Sequence, residues 1–221
     1  MSQAPPSAPI LARFDQHEVV TRKGASYVPY EGLMPAVGRA LDSAVAAKQP
    51  FFLYLHSMDT HHPYHVHEGL NDHIGDGKAD KRYDAYDSEI RYTDRWFGEV
   101  LAEPGRAEAM GRAARGLANK TLVVCPCDRG EEFGEMGAGW SDETHGAQVR
   151  RAATHVPLIL RLPPSHGMSG RFHDVTSHLD LAPTLAALAV PKIDLSRYRF
   201  EGADLSRRIL RRRFDASTRA V

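Results

Sequence analysis

The chain of 221 residues holds only two cysteines and two tryptophans, and it has no surplus of charge, with 28 Lys plus Arg against 28 Asp plus Glu. Balanced charge gives no electrostatic footprint for nucleic acid or an anionic membrane. Cys125 and Cys127 are separated by one residue; no disulfide is expected between them, and C-x-C alone is no zinc motif. No apolar run approaches the roughly 20 residues that span a bilayer. The opening M-S-Q-A-P-P-S-A-P lacks the charged-then-apolar pattern of a secretory leader, so the expectation for the chain as written is cytoplasmic. Internal repeats are missing too. What remains is ordinary globular composition, 42% hydrophobic and 25% charged, at a length that buries a real core as one domain.

The pattern along the chain divides it into a flexible leader over 1–12, a folded domain over 13–206 and a basic tail over 207–221, which carries five arginines between Arg207 and Arg213. From Gly32 to Lys48 the apolar positions Leu33, Val37, Leu41 and Val45 fall on one face of a helix, which Gln49-Pro50 ends. Phe51–Leu55 (F-F-L-Y-L) is too short for a helix and reads as a buried strand. Tyr83 to Leu101 shows Tyr83, Tyr86, Ile90, Phe97 and Leu101 at helical spacing, and a weaker helix is expected within 106–120. Leu122–Val124 and Val156–Leu162 are further strands, the first stopped by Pro126 and the second by Pro163-Pro164. A helix within 175–190 is signalled by Ser177 and Asp180, with Leu185 and Leu188 facing inward. Strands alternating with helices predict a layered α/β fold.

Two stretches carry polar chemistry. Six histidines lie between His56 and His73, at the end of the F-F-L-Y-L segment. Imidazole can donate to an ester oxygen and carry charge near neutral pH; the plainer readings are a solvated loop or a histidine cluster that binds zinc or nickel. After Pro126 comes C-D-R-G-E-E-F-G-E-M-G, an acid followed by a glycine-rich acidic loop just beyond a strand, where α/β sheets place ligand-handling groups. Asp128 there is a candidate ligand for a hard cation, or an acid in a salt-linked turn.

These segments together resemble the sulfatase family of the alkaline phosphatase superfamily. F-F-L-Y-L-H-S-M-D-T-H-H-P-Y is similar to the family's P-F-F-L-x-L-H followed by M-D-P-H-x-P-Y, and C-D-R-G-E-E-F-G-E-M-G to its S/T-D-H/N-G-E and F-G-E-H-G. H-G-A-Q-V-R-R-A-A-T-H-V-P, beginning at His145, is similar to H-G-x-x-L-Y-D-E-x-x-R-V-P, and residues 175–191 and 202–205 to the scaffolding V-x-x-x-D-I-A-P-T-L-L-x-L-A-G-V-P and G-x-S-L.

The resemblance implies a partial alkaline-phosphatase-like three-layer sandwich, a mixed β-sheet with helices on both faces. It also implies a sulfuric ester hydrolase whose substrate anion is met by His61 and His145, and whose calcium ion is held by Asp128. Arg129 stands where the family has an Asn or His ligand, and a guanidinium, having only donors, cannot coordinate a cation. Met136 stands where many members have His. The family's nucleophile, a formylglycine made in Cys/Ser-x-Pro-x-Arg, has no counterpart in these residues, so the isolated chain is expected to have little or no activity, and a polypeptide that supplies the nucleophile is a candidate partner. A phosphoester or phosphonate hydrolase of the same superfamily, and a non-catalytic binding or regulatory module, are the alternatives.

Overall fold

A computed structural model describes residues 20, 28–70, 81–101, 117, 119–133, 150–167, 169–190 and 192–211. The chain falls into two compact units, one drawn from Met1–Ala118 and Phe133–Asp142, the other from Asn119–Glu132 and Glu143–Val221.

In the first unit, helix α1 (Tyr30–Ala47) and helix α2 (Lys81–Leu101) flank an irregular segment. Both helices lie close to the spans their periodicity predicts, but each buries a different stripe. On α1 the buried residues are Tyr30, Met34, Val37 and Leu41, while Val45 is exposed. The register is set at the start: Tyr30 is the first helical residue, and its ring joins Met34 and Tyr92 in the core. On α2 the buried residues are Ala85, Ser88, Glu89 and Tyr92, whereas Ile90 is exposed. These four follow the i, i+3, i+4, i+7 spacing of an inward face. Apolar side chains alone do not reveal it, because Ser88 and Glu89 sit in its middle. Leu55, Leu70, Trp96, Val100 and Leu117 pack around the core.

The α1 N-terminus has Pro29 at its cap position, which offers no side-chain acceptor. The role passes to Asp59, whose two carboxylate oxygens accept the Tyr30 N–H at 3.0 and 3.1 Å. The helix ends at Lys48 in the left-handed conformation, just before Gln49-Pro50.

Phe51–Leu55 corrects the expectation of a buried strand. Residues 51–58 adopt neither helix nor strand, and Phe52 and Tyr54 are 70% and 62% exposed. High β-propensity does not make a strand without a neighbour to complete the ladder.

The second unit contains β1 (Val123–Pro126), the one-turn helix α3 (Arg151–Thr154), β2 (Leu158–Arg161), α4 (Leu181–Ala189) and α5 (Ser206–Arg211). β1 and β2 pair antiparallel, with Val123 opposite Arg161 and Pro126 opposite Leu158. Proline closes the ladder as its chemistry requires. Cys125 lies on β1 and Cys127 one residue beyond it. Among the described residues the sheet is this two-stranded ladder, in place of the larger mixed sheet that the resemblance implies.

The 175–190 segment folds as its caps predict. Ser177 Oγ accepts the Leu179 N–H at 3.3 Å and Asp180 Oδ2 accepts the Ser177 N–H at 2.9 Å, opening a short 3-10 turn that leads into α4. Leu185 and Leu188 are half-buried, and the deepest positions are Pro183 and Thr184. Asp180 and Thr184 also hold the segment before α5. Asp180 Oδ1 accepts the Ala203 N–H at 2.7 Å, and Thr184 Oγ1 accepts the Leu205 N–H at 2.9 Å. Gly202 permits this approach, since a Cβ there would lie 2.1 Å from the Leu179 carbonyl oxygen. Part of the basic tail is folded: α5 covers 206–211, with Arg208 donating to Asp174 at 2.6 Å and lying over the Phe172 ring.

Candidate substrate-anion site

His61 sits in the loop that leaves Asp59. Its backbone N–H donates to the Met58 carbonyl at 3.0 Å, closing a tight turn, and its Nδ1–H donates to the His62 carbonyl at 2.7 Å. A carbonyl can only accept, so the proton on that nitrogen is assigned by the contact.

Downstream, the loop is fastened to α2. Glu89 is 1% exposed; its Oε1 accepts the His65 N–H at 2.8 Å and its Oε2 accepts His67 Nε2–H at 2.9 Å. Ser88 Oγ, also buried, accepts the His67 N–H at 2.8 Å. The His67 ring lies flat on Tyr92, with centroids 3.9 Å apart and planes 6° from parallel. Tyr92 donates its hydroxyl to Glu31 of α1 at 3.2 Å. Burial, followed by the charge of Glu31, pushes the Tyr92 phenol up to about 12.

Next to the loop lies a half-buried aromatic cluster. Phe133 packs against Tyr83 at 4.4 Å, Tyr86 at 5.2 Å and Tyr64 at 5.8 Å between centroids, and Arg82 donates to the Phe133 carbonyl at 3.2 Å. The His62 ring stands edge-on to Tyr64.

In the second unit the loop after β1 is shaped by Gly130. Its N–H donates to the Ala153 carbonyl at 2.8 Å, and a Cβ on it would lie 1.9 Å from the Ala152 oxygen of α3. Asp128 is exposed, and its Oδ1 accepts the adjacent Arg129 N–H at 2.9 Å. The Arg129 guanidinium faces the Glu131 carboxylate and the Gly130 carbonyl, each at 3.4 Å. Burial, and then the Asp128 charge, raises the neighbouring Cys127 thiol.

The described residues do not fit a calcium site. Calcium takes about six to eight oxygen ligands, and no group of three or more His, Cys, Asp or Glu side chains among the described residues is arranged to hold a metal ion. Asp128 is a single exposed carboxylate beside a guanidinium. Glu132 Oε1 is buried with no hydrogen-bond partner, which adds one acceptor and not a ligand shell.

His61 and Asp128 fall in different units. His145 and Met136 lie outside the described residues. Sequence reasoning missed Glu89, Ser88 and Tyr92, and the buried role of Asp59. The available signal was the Ala85, Ser88, Glu89, Tyr92 spacing, which marks an inward stripe even when half of it is polar.

Among the described residues two helices precede β1, the one-turn α3 separates the antiparallel strands β1 and β2, and helical elements follow, a mixture of helix with a small sheet. The sulfatase family profile matches residues 27–191, and the chain belongs to that family. It is similar to arylsulfatase A of Bos taurus, 31% identical over 72% of this chain and 28% of that protein, and to arylsulfatase A of Homo sapiens, 30% identical over the same shares. Steryl-sulfatase of Rattus norvegicus is 26% identical over 71% of this chain and 26% of its own length. The chain thus spans little more than a quarter of the curated relatives it matches. No solved structure matches it significantly. No described helix is long and apolar enough to cross a membrane.

Proposed function

We propose that the chain is the substrate-anion portion of a sulfuric ester hydrolase of the three-layer alkaline-phosphatase-like kind, with His61 contacting the sulfate group and His145 as a second contact. The observation that carries this reading is the Nδ1–H bond of His61 to the His62 carbonyl at 2.7 Å, inside the segment that matches the sulfatase family. Sulfate offers only acceptors, so Nε2 must also carry a proton when it meets one. His61 then acts as an imidazolium, adding positive charge to a hydrogen bond directed at the ester. Such a contact, preorganised by its loop, stabilises charge that grows on the ester as the S–O bond breaks.

The nucleophile comes from a segment other than these residues, since no Cys/Ser-x-Pro-x-Arg occurs among them. Exposed Phe51, Phe52, Leu53 and Tyr54 in one unit, and Ile159 and Val175 in the other, are the surfaces that a covering polypeptide would bury. Calcium is the cation the family resemblance brings, with Asp128 the residue offered to it, and no step is assigned to it.

The test is hydrolysis of a chromogenic aryl sulfate by the purified chain, with and without a polypeptide carrying Cys-x-Pro-x-Arg. The expected result is no turnover by the chain alone, and turnover in the combination that falls on His61→Ala. Turnover by the chain alone would overturn the division of labour. Inorganic phosphate in place of sulfate as the better inhibitor would favour the phosphoester reading.

A second reading has its own observation. Arg129 replaces a ligand and turns its guanidinium to Glu131, which balances charge in the loop without a metal. That favours a non-catalytic module that binds sulfate esters through the same histidine loop.

A further inference from the structure

Glutamate in the middle of a buried helix stripe costs stability, because a charge leaves water and an apolar side chain of similar volume would pack there more cheaply. Glu89 nonetheless holds such a position at 1% exposure. Neither oxygen is used on the helix's own side chains: one takes the His65 N–H and the other the His67 ring. Asp59 repeats the arrangement at the other end of the loop. It is also 1% exposed, and both its oxygens reach the Tyr30 N–H of α1. Ser57 Oγ donates to Asp59 as well. The stretch 59–67, with His61 inside it, is therefore tied to α1 near its start and to α2 near its end.

We infer that Asp59 and Glu89 are positioning residues, which hold loop 59–67 between the two helices and so fix where the His61 ring meets a sulfate group. The inference rests on the reading of His61 given above and adds the residues that act through it. Each carboxylate fixes backbone or ring position where an apolar residue would fill space only. Losing either tie would let the Met58–His61 turn open, and a misplacement of about 1 Å at a binding group can cost on the order of a hundredfold in rate.

Three variants separate positioning from packing. His67→Phe keeps a ring to stack on Tyr92 and removes the donor to Glu89. His67→Gln restores a donor. Glu89→Met fills the buried volume without either acceptor. Two quantities are read under conditions where the variants are folded: amide exchange at His61, whose N–H closes the turn, and the affinity for inorganic sulfate followed through the His61 ring signal. His67→Phe and Glu89→Met are expected to speed His61 exchange and weaken sulfate binding by about tenfold or more, with His67→Gln close to wild type. If Glu89→Met does not fold, His67→Phe decides, because it conserves the packing.

Unchanged exchange and affinity in folded His67→Phe and Glu89→Met would overturn the role of Glu89, and the same result in folded Asp59→Ala would overturn that of Asp59, leaving each a stability element only. If wild type shows no response to sulfate while exchange at His61 still rises in His67→Phe, the positioning role stands and the anion reading falls.

Discussion

Asp59 caps a helix that begins 29 residues before it, both carboxylate oxygens accepting the Tyr30 N–H. A local cap is denied by Pro29, so α1 depends on a side chain delivered by the tertiary fold. Asp59→Ala is expected to lower stability by about 2 kcal/mol, since it removes a charged acceptor and orphans a buried amide. Asp59→Asn, which keeps one acceptor oxygen, should fall between. Denaturant midpoints at unchanged slope check this; an unaltered midpoint in Asp59→Ala would show that α1 starts without it.

Tyr92 links the same helices by a different chemistry. Its phenol is raised from 10.0 to about 12 by burial and then by Glu31, so the fold favours the protonated form. A raised value means that this contribution is intact below pH 10.0 and is lost as pH climbs towards about 12. Tyr92→Phe should flatten that alkaline slope while removing the bond to Glu31. Phenolate absorbance, followed with stability against pH in both proteins, measures it.

Gly130 and Gly202 each allow one stretch of backbone to lie on another. A Cβ would approach Ala152 oxygen to 1.9 Å at the first and Leu179 oxygen to 2.1 Å at the second. Gly130→Ala and Gly202→Ala should each destabilise by about 1–3 kcal/mol or more, because the obstacle is main chain and cannot turn aside. Thermal midpoints of the two variants test this, with Gly38→Ala, inside α1 where nothing lies within 4 Å, as a control expected to stabilise by about 0.5–1 kcal/mol.

Asp180 predicts the acid limb. The backbone N–H groups of Ser177 and Ala203 hold its carboxyl below the ordinary 3.8. A depressed value contributes stability that is present above 3.8 and lost as pH falls through the lower folded value. Asp180→Asn should reduce the steepness of acid unfolding, and parallel acid curves for the two proteins would contradict the assignment.

What could be read in the chain beforehand was local. The α1 and α2 spans, the Ser177–Asp180 cap and the end of β1 at Pro126 all follow from residues within a few positions of one another. What escaped was tertiary. F-F-L-Y-L has strand composition, yet no ladder forms without a distant partner. The inward stripe of α2 was obscured by Ser88 and Glu89, polar residues whose partners His65 and His67 lie 21 to 24 positions earlier. Asp128 could be located from its motif, but only the structure shows its exposure and the turn of Arg129 towards Glu131.

The central claim is that His61 receives the sulfate group. The direct measurement is a titration of the chain with inorganic sulfate, following the ring resonances of each histidine by NMR, in wild type and His61→Ala. The account predicts a saturable shift of the His61 ring and loss of binding in the variant. A shift confined to other histidines, or equal sulfate binding in His61→Ala, would contradict it.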